Sequence, residues 1–374
     1  MDVKKLLGPA LLGLLLIGVG TGVYLSATDH QATAIQVKQA GTAPVMATVR
    51  GLSGSEKIPF LTDPRVAAIL QANGIQLEVR KAGSREIASS PDLKSLDFAF
   101  PAGAPGANKV KSATNAKQEF TPFYTPMVIA SWKPIADLLE ENGIVKKQNG
   151  AWYVVDMPKL LVWMKEGKRW KDIPGNSVYP VNKSVLVATT DVRKSNSAAM
   201  FLALASYMAN AEEVVSSDEA VQKVLPVVAP LFLRQGYQES STAGPFEDYL
   251  SMGMGKAPLV MVYEAQFIEY LAKTPVAQRN PDMVLMYPSP TVFTKHTLVP
   301  LTNNGTRLGE LLTTHPELQK LAAEYGLRIN DGALFKKMQE ARNIQVPTTL
   351  IDVIDPPSYE WMEKMIQAIE LQAK

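Results

Sequence analysis

Met46-Ala-Thr-Val-Arg50 runs into Gly51-Leu-Ser-Gly-Ser-Glu-Lys57, Ile75-Gln-Leu-Glu-Val79 into Ala82-Gly-Ser-Arg-Glu86, and Leu96-Asp-Phe-Ala-Phe100 into Pro101-Ala-Gly103. The stretch reads strand, polar loop, helix, strand, polar loop, helix, strand. Strands that alternate with helices predict a parallel sheet with right-handed crossovers. Ligands of such sheets sit outside the carboxyl ends of the strands. Here those ends carry Ser53, Gly54, Ser55, Gly83, Ser84, Arg85 and Gly103. Small residues let a ligand approach the backbone, and free amides at a helix start attract anions. The stretch is built to hold something small and contains little that looks like a catalyst.

Composition narrows the class. The chain has 374 residues, long enough for two ordinary domains, with 46% hydrophobic and 20% charged residues. That balance belongs to a folded globular protein. A net charge of +2 predicts no nucleic-acid partner. There is no cysteine, which excludes disulfides, thiolate chemistry, thiolate metal sites and a lipidated cysteine. His30, His296 and His315 lie far apart without ligand spacing, so no metal or other cofactor is expected.

At the N-terminus, Lys4 and Lys5 precede an uncharged run of 20 residues, Leu6 to Leu25. As a helix it spans about 30 Å, enough to cross the hydrocarbon core. A secretory signal has a shorter apolar region, and Leu25-Ser-Ala27 is a poor cleavage site. The expectation is an uncleaved signal anchor over residues 1–27, with a cleaved signal peptide as the alternative. Positive-inside logic puts the lysines in the cytoplasm and the remainder outside, giving a single-pass cell-membrane protein with an extracytoplasmic domain. Residues 28–44 are small and polar, a tether.

The remaining elements come in chain order. Asp63-Pro64 caps a helix that Asn73-Gly74 ends. Ala104–Lys117 reads as an exposed loop. Pro126–Ala130 is a buried strand, and Trp132–Gly143 a helix. Asp156 caps a helix that Gly167 stops. Val185–Ala188 reads as a strand, followed by the loop Thr189–Ser197 and a helix with Phe201, Leu204, Ala205 and Met208 on one face. Ser216 and Glu219 form a capping box for another helix, and Pro226 and Pro230 break or kink the segment after it. Leu259–Tyr263 is a strong strand with Glu264 at its end. Met283–Tyr287 and Thr291–Leu301 are extended runs around Pro288-Ser-Pro290. Ser358 caps a final amphipathic helix.

The order of these pieces resembles the type II periplasmic-binding-protein superfamily, the solute-binding proteins that include phosphate and molybdate binders. Carrying the resemblance are Ser53-Gly-Ser55, Ala82-Gly-Ser84, Asp97–Pro101, Pro126–Ser131, Asp191–Ser197, Val260–Glu264, Tyr287–Pro290 and Leu318–Arg328. It extends from about Val45 to the C-terminus, and no single motif is diagnostic. The resemblance implies an α/β fold of two lobes joined by two crossover strands, 45–130 with 287–374 as one lobe and 131–286 as the other. The ligand would sit between lobes that close by a hinge motion. A retained anchor departs from the usual cleaved or lipid-anchored forms.

Ten residues are candidates for ligand contact. Ser53, Gly54, Ser55 and Ser84 offer hydroxyls and amides, against a reading as ordinary turn and cap chemistry. Arg85 suits a carboxylate or phosphoryl group, or else pairs with Glu86. Thr125 precedes a crossing strand. Ser195, Asn196 and Ser197 are three capping side chains where one suffices. Glu264 ends an apolar strand, and facing the cleft it would repel a fully ionised anion. The leading function is capture of a small molecule or anion, with an oxyanion or acidic metabolite favoured. A membrane transporter or an envelope complex is the expected partner. The alternative is an interaction module of an envelope complex without a small ligand. An enzyme is not expected, because no nucleophile–base pair or metal constellation is present.

Overall fold

A computed structural model of the chain describes residues 46–148, 152–350 and 352–373. By contacts, Ala47–Gln71 with Ile75–Lys374 form one unit, and Met1–Met46 with Ala72–Gly74 another. The second lies largely outside the described residues, and the first carries the sheet and its helices. Among the described residues no helix is long and apolar enough to cross a membrane. The expected anchor at 1–27 and tether at 28–44 lie outside them.

The strands are β1 (Ala47–Ser53), β2 (Ile75–Lys81), β3 (Phe98–Phe100), β4 (Phe120–Trp132), β5 (Val145–Gln148), β6 (Trp152–Asp156), β7 (Leu259–Tyr263), β8 (Met283–Ser289), β9 (Thr291–Pro300) and β10 (Val353–Ile354). Their order is β2-β1-β3-β9-β4-β8-β6-β5, with β10 on β9 and β7 on β4. β1 pairs β2 and β3 in parallel, and Ser53 lies opposite both Lys81 and Phe100. That register brings the three following loops to one edge, as the opening stretch predicts. β4 and β9 are long antiparallel partners, matched from Phe120 with Leu298 to Pro126 with Phe293. Beyond that, β4 continues against β7 and β8, while β9 reaches back to β3. They are therefore the two crossings between the β1–β3 group and the β5–β8 group.

Period-two alternation loads both faces of the first group. Val49, Phe98, Phe100 and Leu298 join one core with Phe60, Val66, Leu308 and Leu318. Leu52, Ala99 and Val299 join a smaller core with Ile87, Leu93 and Val110. The second group has its own core around Val128, Ile135, Leu160, Phe201, Val228 and Val260. The closing helix Tyr359–Gln372, expected with the first group, buries Met362, Met365 and Ile366 in this second core.

Several local expectations differ from what forms. Residues 104–117 are not an open loop. Ala104–Thr114 is a helix that buries Pro105, Ala107 and Val110, with proline in its first turn where no amide partner is needed. Asn196–Ala209 is buried all round up to Ser206, because it is enclosed on every side and so needs no polar face. Asp218–Leu233 runs through both Pro226 and Pro230, and its cap is Ser217, which accepts from the Ala220 amide. Residues 185–188 form no strand, only a bridge from Ala188 to Val260.

Candidate functional site

The loops after β1, β2 and β3 meet the start of the helix Asn196–Ala209 and the end of β7. Ser53 is fully buried, and its hydroxyl donates to the Gly54 carbonyl (3.2 Å). Gly54 donates its amide to Phe100 O at 3.2 Å, tying the first loop to the third. Ser55 opens a short turn, Ser55–Lys57, and is half-buried. Ser84 accepts from the Ala102 amide at 2.9 Å, tying the second loop to the third. The second set of groups is hydroxyl-rich. Ser195 bonds Ser197 (2.9 Å), which bonds Thr190 (2.8 Å). Asn196 donates to the hydroxyls of Tyr263 (3.2 Å) and Thr294 (3.4 Å).

The two sets touch. A Cβ at Gly83 would stand 2.9 Å from Lys194 O, and one at Gly103, whose φ is +88°, would collide with the Asn196 carboxamide. Only glycine permits both approaches. The Arg85 amide donates to Lys194 O (3.2 Å), its Nε donates to Arg193 O (3.2 Å), and its guanidinium pairs with Glu363 on the closing helix. Arg85 thus joins the two groups of elements, with neither Glu86 nor an open cleft as its counterpart.

Three charged or titratable residues outside the ten candidates sit at the centre. Glu56 and Lys57 form an ion pair whose side chains are 3% and 0% exposed. His296 Nδ1 lies 3.3 Å from Lys57 Nζ and 3.3 Å from Glu56 Oε1, also fully buried. His296 Nε2 has no hydrogen-bond partner among the described residues. The Lys57 ammonium also lies 4.8 Å from the centre of the Phe100 ring. Burial opposes ionisation of Glu56, but Lys57 and the His296 ring hold its carboxyl down at about 2. Burial and the Lys57 charge push His296 down to about 4, so the ring is neutral at pH 7. Burial, partly offset by Glu56, lowers the Lys57 pKa. Burial and the Glu56 charge keep the Tyr263 hydroxyl protonated. A legible signal does exist. Glu56-Lys57 directly follows the quoted serine-glycine loop, and alternation along β9 puts Thr294 and His296 on its buried face while Lys295 is exposed.

Two candidates are held by internal partners. Glu264 is fully buried, but its oxygens accept from Arg328 Nε (2.7 Å), Arg328 Nη2 (2.8 Å) and the Tyr287 hydroxyl (2.7 Å). Arg328 also donates to Pro347 O at 2.7 Å. The carboxylate is thus neutralised and held by internal donors. Thr125 Oγ1 accepts from the Ala265 amide (3.2 Å) and caps the helix Glu264–Lys273. Thr125 ties β4 to that helix, and Glu264 ties the helix to β8 and to Arg328. Among the described residues no group of three or more His, Asp or Glu side chains could hold a metal ion.

No family model and no curated protein matches the sequence. Solved structures do match. A sulfate-binding protein, SubI, from Mycobacterium tuberculosis H37Rv is similar at 15% identity and a TM-score of 0.54, covering 87% of this chain and 99% of that one. Iron-bound HitA from Pseudomonas aeruginosa matches at 11% identity and 0.53, again over 87% and 99%. The apo ferric ion-binding protein A of Pasteurella haemolytica matches at 13% and 0.51, over 86% and 95%. At such identities the likeness speaks for the fold alone, a mixed α/β architecture around a central sheet that these binding proteins share.

Proposed function

We propose that this chain is an extracytoplasmic solute-binding protein, held at the membrane by residues 6–25, that captures a small ligand between two lobes. The first lobe would comprise 45–130 with most of 287–358. The second would comprise 131–286 with the closing helix, whose apolar face lies in that core. One observation carries the reading. Ser53–Lys57, Ser84-Arg85, Gly103, Ser195–Ser197, Tyr263 and His296 are scattered over the chain, yet they converge on one enclosed polar cluster at strand and helix ends. The fold's solved neighbours, by their own descriptions, hold sulfate or iron.

The ligand class rests on the charges. Glu56 is ionised beside Lys57, so the cluster is close to neutral before a ligand enters. A dianion would add two charges that nothing in the cluster offsets, beside the Glu56 carboxylate, which is unfavourable in a low-dielectric site. The fitting ligand is a small oxyanion or acidic metabolite with at most one negative charge, accepting from the Ser84, Asn196, Ser197 and Tyr263 groups. Binding, with a population shift toward the closed form, is the whole mechanism.

Thermal shift with monoanions, dianions, amino acids and sugars tests this. A ligand at a hundredfold excess over its Kd adds about 2.7 kcal/mol of stability. The reading requires a stabiliser whose effect is lost in Asn196→Ala, and a panel without one counts against it. One observation favours a second reading, an interaction module for an envelope complex. Arg85 is already satisfied by Glu363, and Lys57 by Glu56. Partner capture by crosslinking at the membrane, together with an unresponsive panel, would select that reading.

A further inference from the structure

We propose that Glu56 is a built-in competitor at the binding site, its carboxylate standing on Lys57 where an anionic ligand would stand and so setting which ligands are admitted. The inference rests on the solute-binding reading and deepens it.

The geometry places the carboxylate among the ligand-type groups themselves. Both Glu56 oxygens lie 2.7 Å from the point where a Cβ of Gly54 would stand, and the Ser84 hydroxyl lies 2.9 Å from the same point. The carboxylate therefore fills the space that glycine leaves open in the first loop. It meets the Lys57 ammonium directly and the His296 ring at 3.3 Å. A carboxylate presents two oxygens and one negative charge, the same chemistry as one edge of a small oxyanion or the acidic end of a metabolite. It is tethered to the turn Ser55–Lys57, and thus competes at the high effective concentration of an intramolecular group.

Two consequences arise. A weakly binding anion leaves Glu56 on Lys57, and the site does not respond to it. A ligand that succeeds brings hydrogen-bonding groups for Ser84, Asn196 or Tyr263 in addition to its charge, and shares or displaces the carboxylate. Glu56 is in this sense a selectivity residue. Without its carboxylate, Lys57 is a buried amine beside a vacated carboxylate-sized space, which a free small carboxylate can fill, restoring the ammonium's partner.

The test uses the full-length chain in detergent, with Glu56→Ala titrated with sodium formate and sodium acetate at pH 7. Sodium chloride at matched ionic strength is the control, and unfolding is followed by tryptophan fluorescence. The expected result is a saturable rise in Tm with formate, at least about tenfold more sensitive to concentration than wild type. The response should disappear in Glu56→Ala/Lys57→Met. A folded Glu56→Ala that responds to formate no more than to chloride overturns the proposal. So does a formate response that survives loss of Lys57. Should Glu56→Ala be unfolded in formate-free buffer, recovery of the native far-UV spectrum on adding formate supports the proposal, and failure to recover overturns it. Because the probe is formate on a variant, the result is read whether or not a natural ligand is found for the wild type.

Discussion

Glu264 decides between two accounts of the same residue, and its removal gives a sharp prediction. Its side chain is fully buried, and that of Arg328 is 4% exposed. The carboxylate receives two guanidinium hydrogen bonds and the Tyr287 hydroxyl. Glu264→Ala leaves the guanidinium with the Pro347 and Thr348 carbonyls and the Phe335 ring but no counter-charge, and leaves Tyr287 without its acceptor. Breaking a buried pair by removing one partner costs about 3–5 kcal/mol. Domains have a total stability of about 5–15 kcal/mol, so at least about a fifth is at stake. With a urea m-value near 3 kcal/mol/M, the unfolding midpoint falls by about 1 M or more. Glu264→Leu with Arg328→Met removes both charges, and should be markedly less destabilised than the two single variants summed. A loss below about 1 kcal/mol in Glu264→Ala would refute the structural role. So would a Glu264→Gln variant that keeps its stability but loses ligand response.

Three more outcomes are expected. His296 takes up its proton near pH 6.5 when unfolded and at about 4 when folded, so its stabilisation is complete above 6.5 and lost as pH falls from 6.5 to 4. The gap of about 2.5 corresponds to about 3 kcal/mol, and His296→Gln should flatten urea-derived stability across that window. Gly103→Ala forces a side chain into the positive φ region and against Asn196, which should cost at least about 1–3 kcal/mol in chemical denaturation and weaken ligand binding. Arg85→Ala and Glu363→Gln each remove the pair that joins the second loop to the closing helix, and each should raise the radius of gyration in small-angle scattering without ligand. An unchanged radius in both would show that the pair does not hold the closed form.

The fold is legible where periodicity and strand ends are local properties. Met46–Gly103 announces its parallel strands, and their register brings the loops after Ser53, Lys81 and Phe100 together. The two crossings are readable as extended runs around Pro126 and Pro288–Pro290. Partner identity across long sequence separation is not readable in this way. Glu264 and Arg85 are single charges in the sequence, and only the fold reveals Arg328, 64 residues on, and Glu363, 278 residues on, as their counterparts. The Glu56–Lys57–His296 cluster escapes a reading that weighs histidine as a metal ligand rather than as a neutral buried ring beside an ion pair. The helix Ala104–Thr114 escapes it because its composition is that of a loop. Its stability comes from burying Pro105, Ala107 and Val110, not from propensity.

Native mass spectrometry of the full-length chain, purified without added ligand, tests the central claim most directly. The account predicts a discrete adduct of small mass on the wild type that is absent from Asn196→Ala and is lost on denaturation. A wild-type chain whose mass equals the polypeptide alone, and which still shows no adduct after incubation with monoanionic and acidic metabolites, would contradict it.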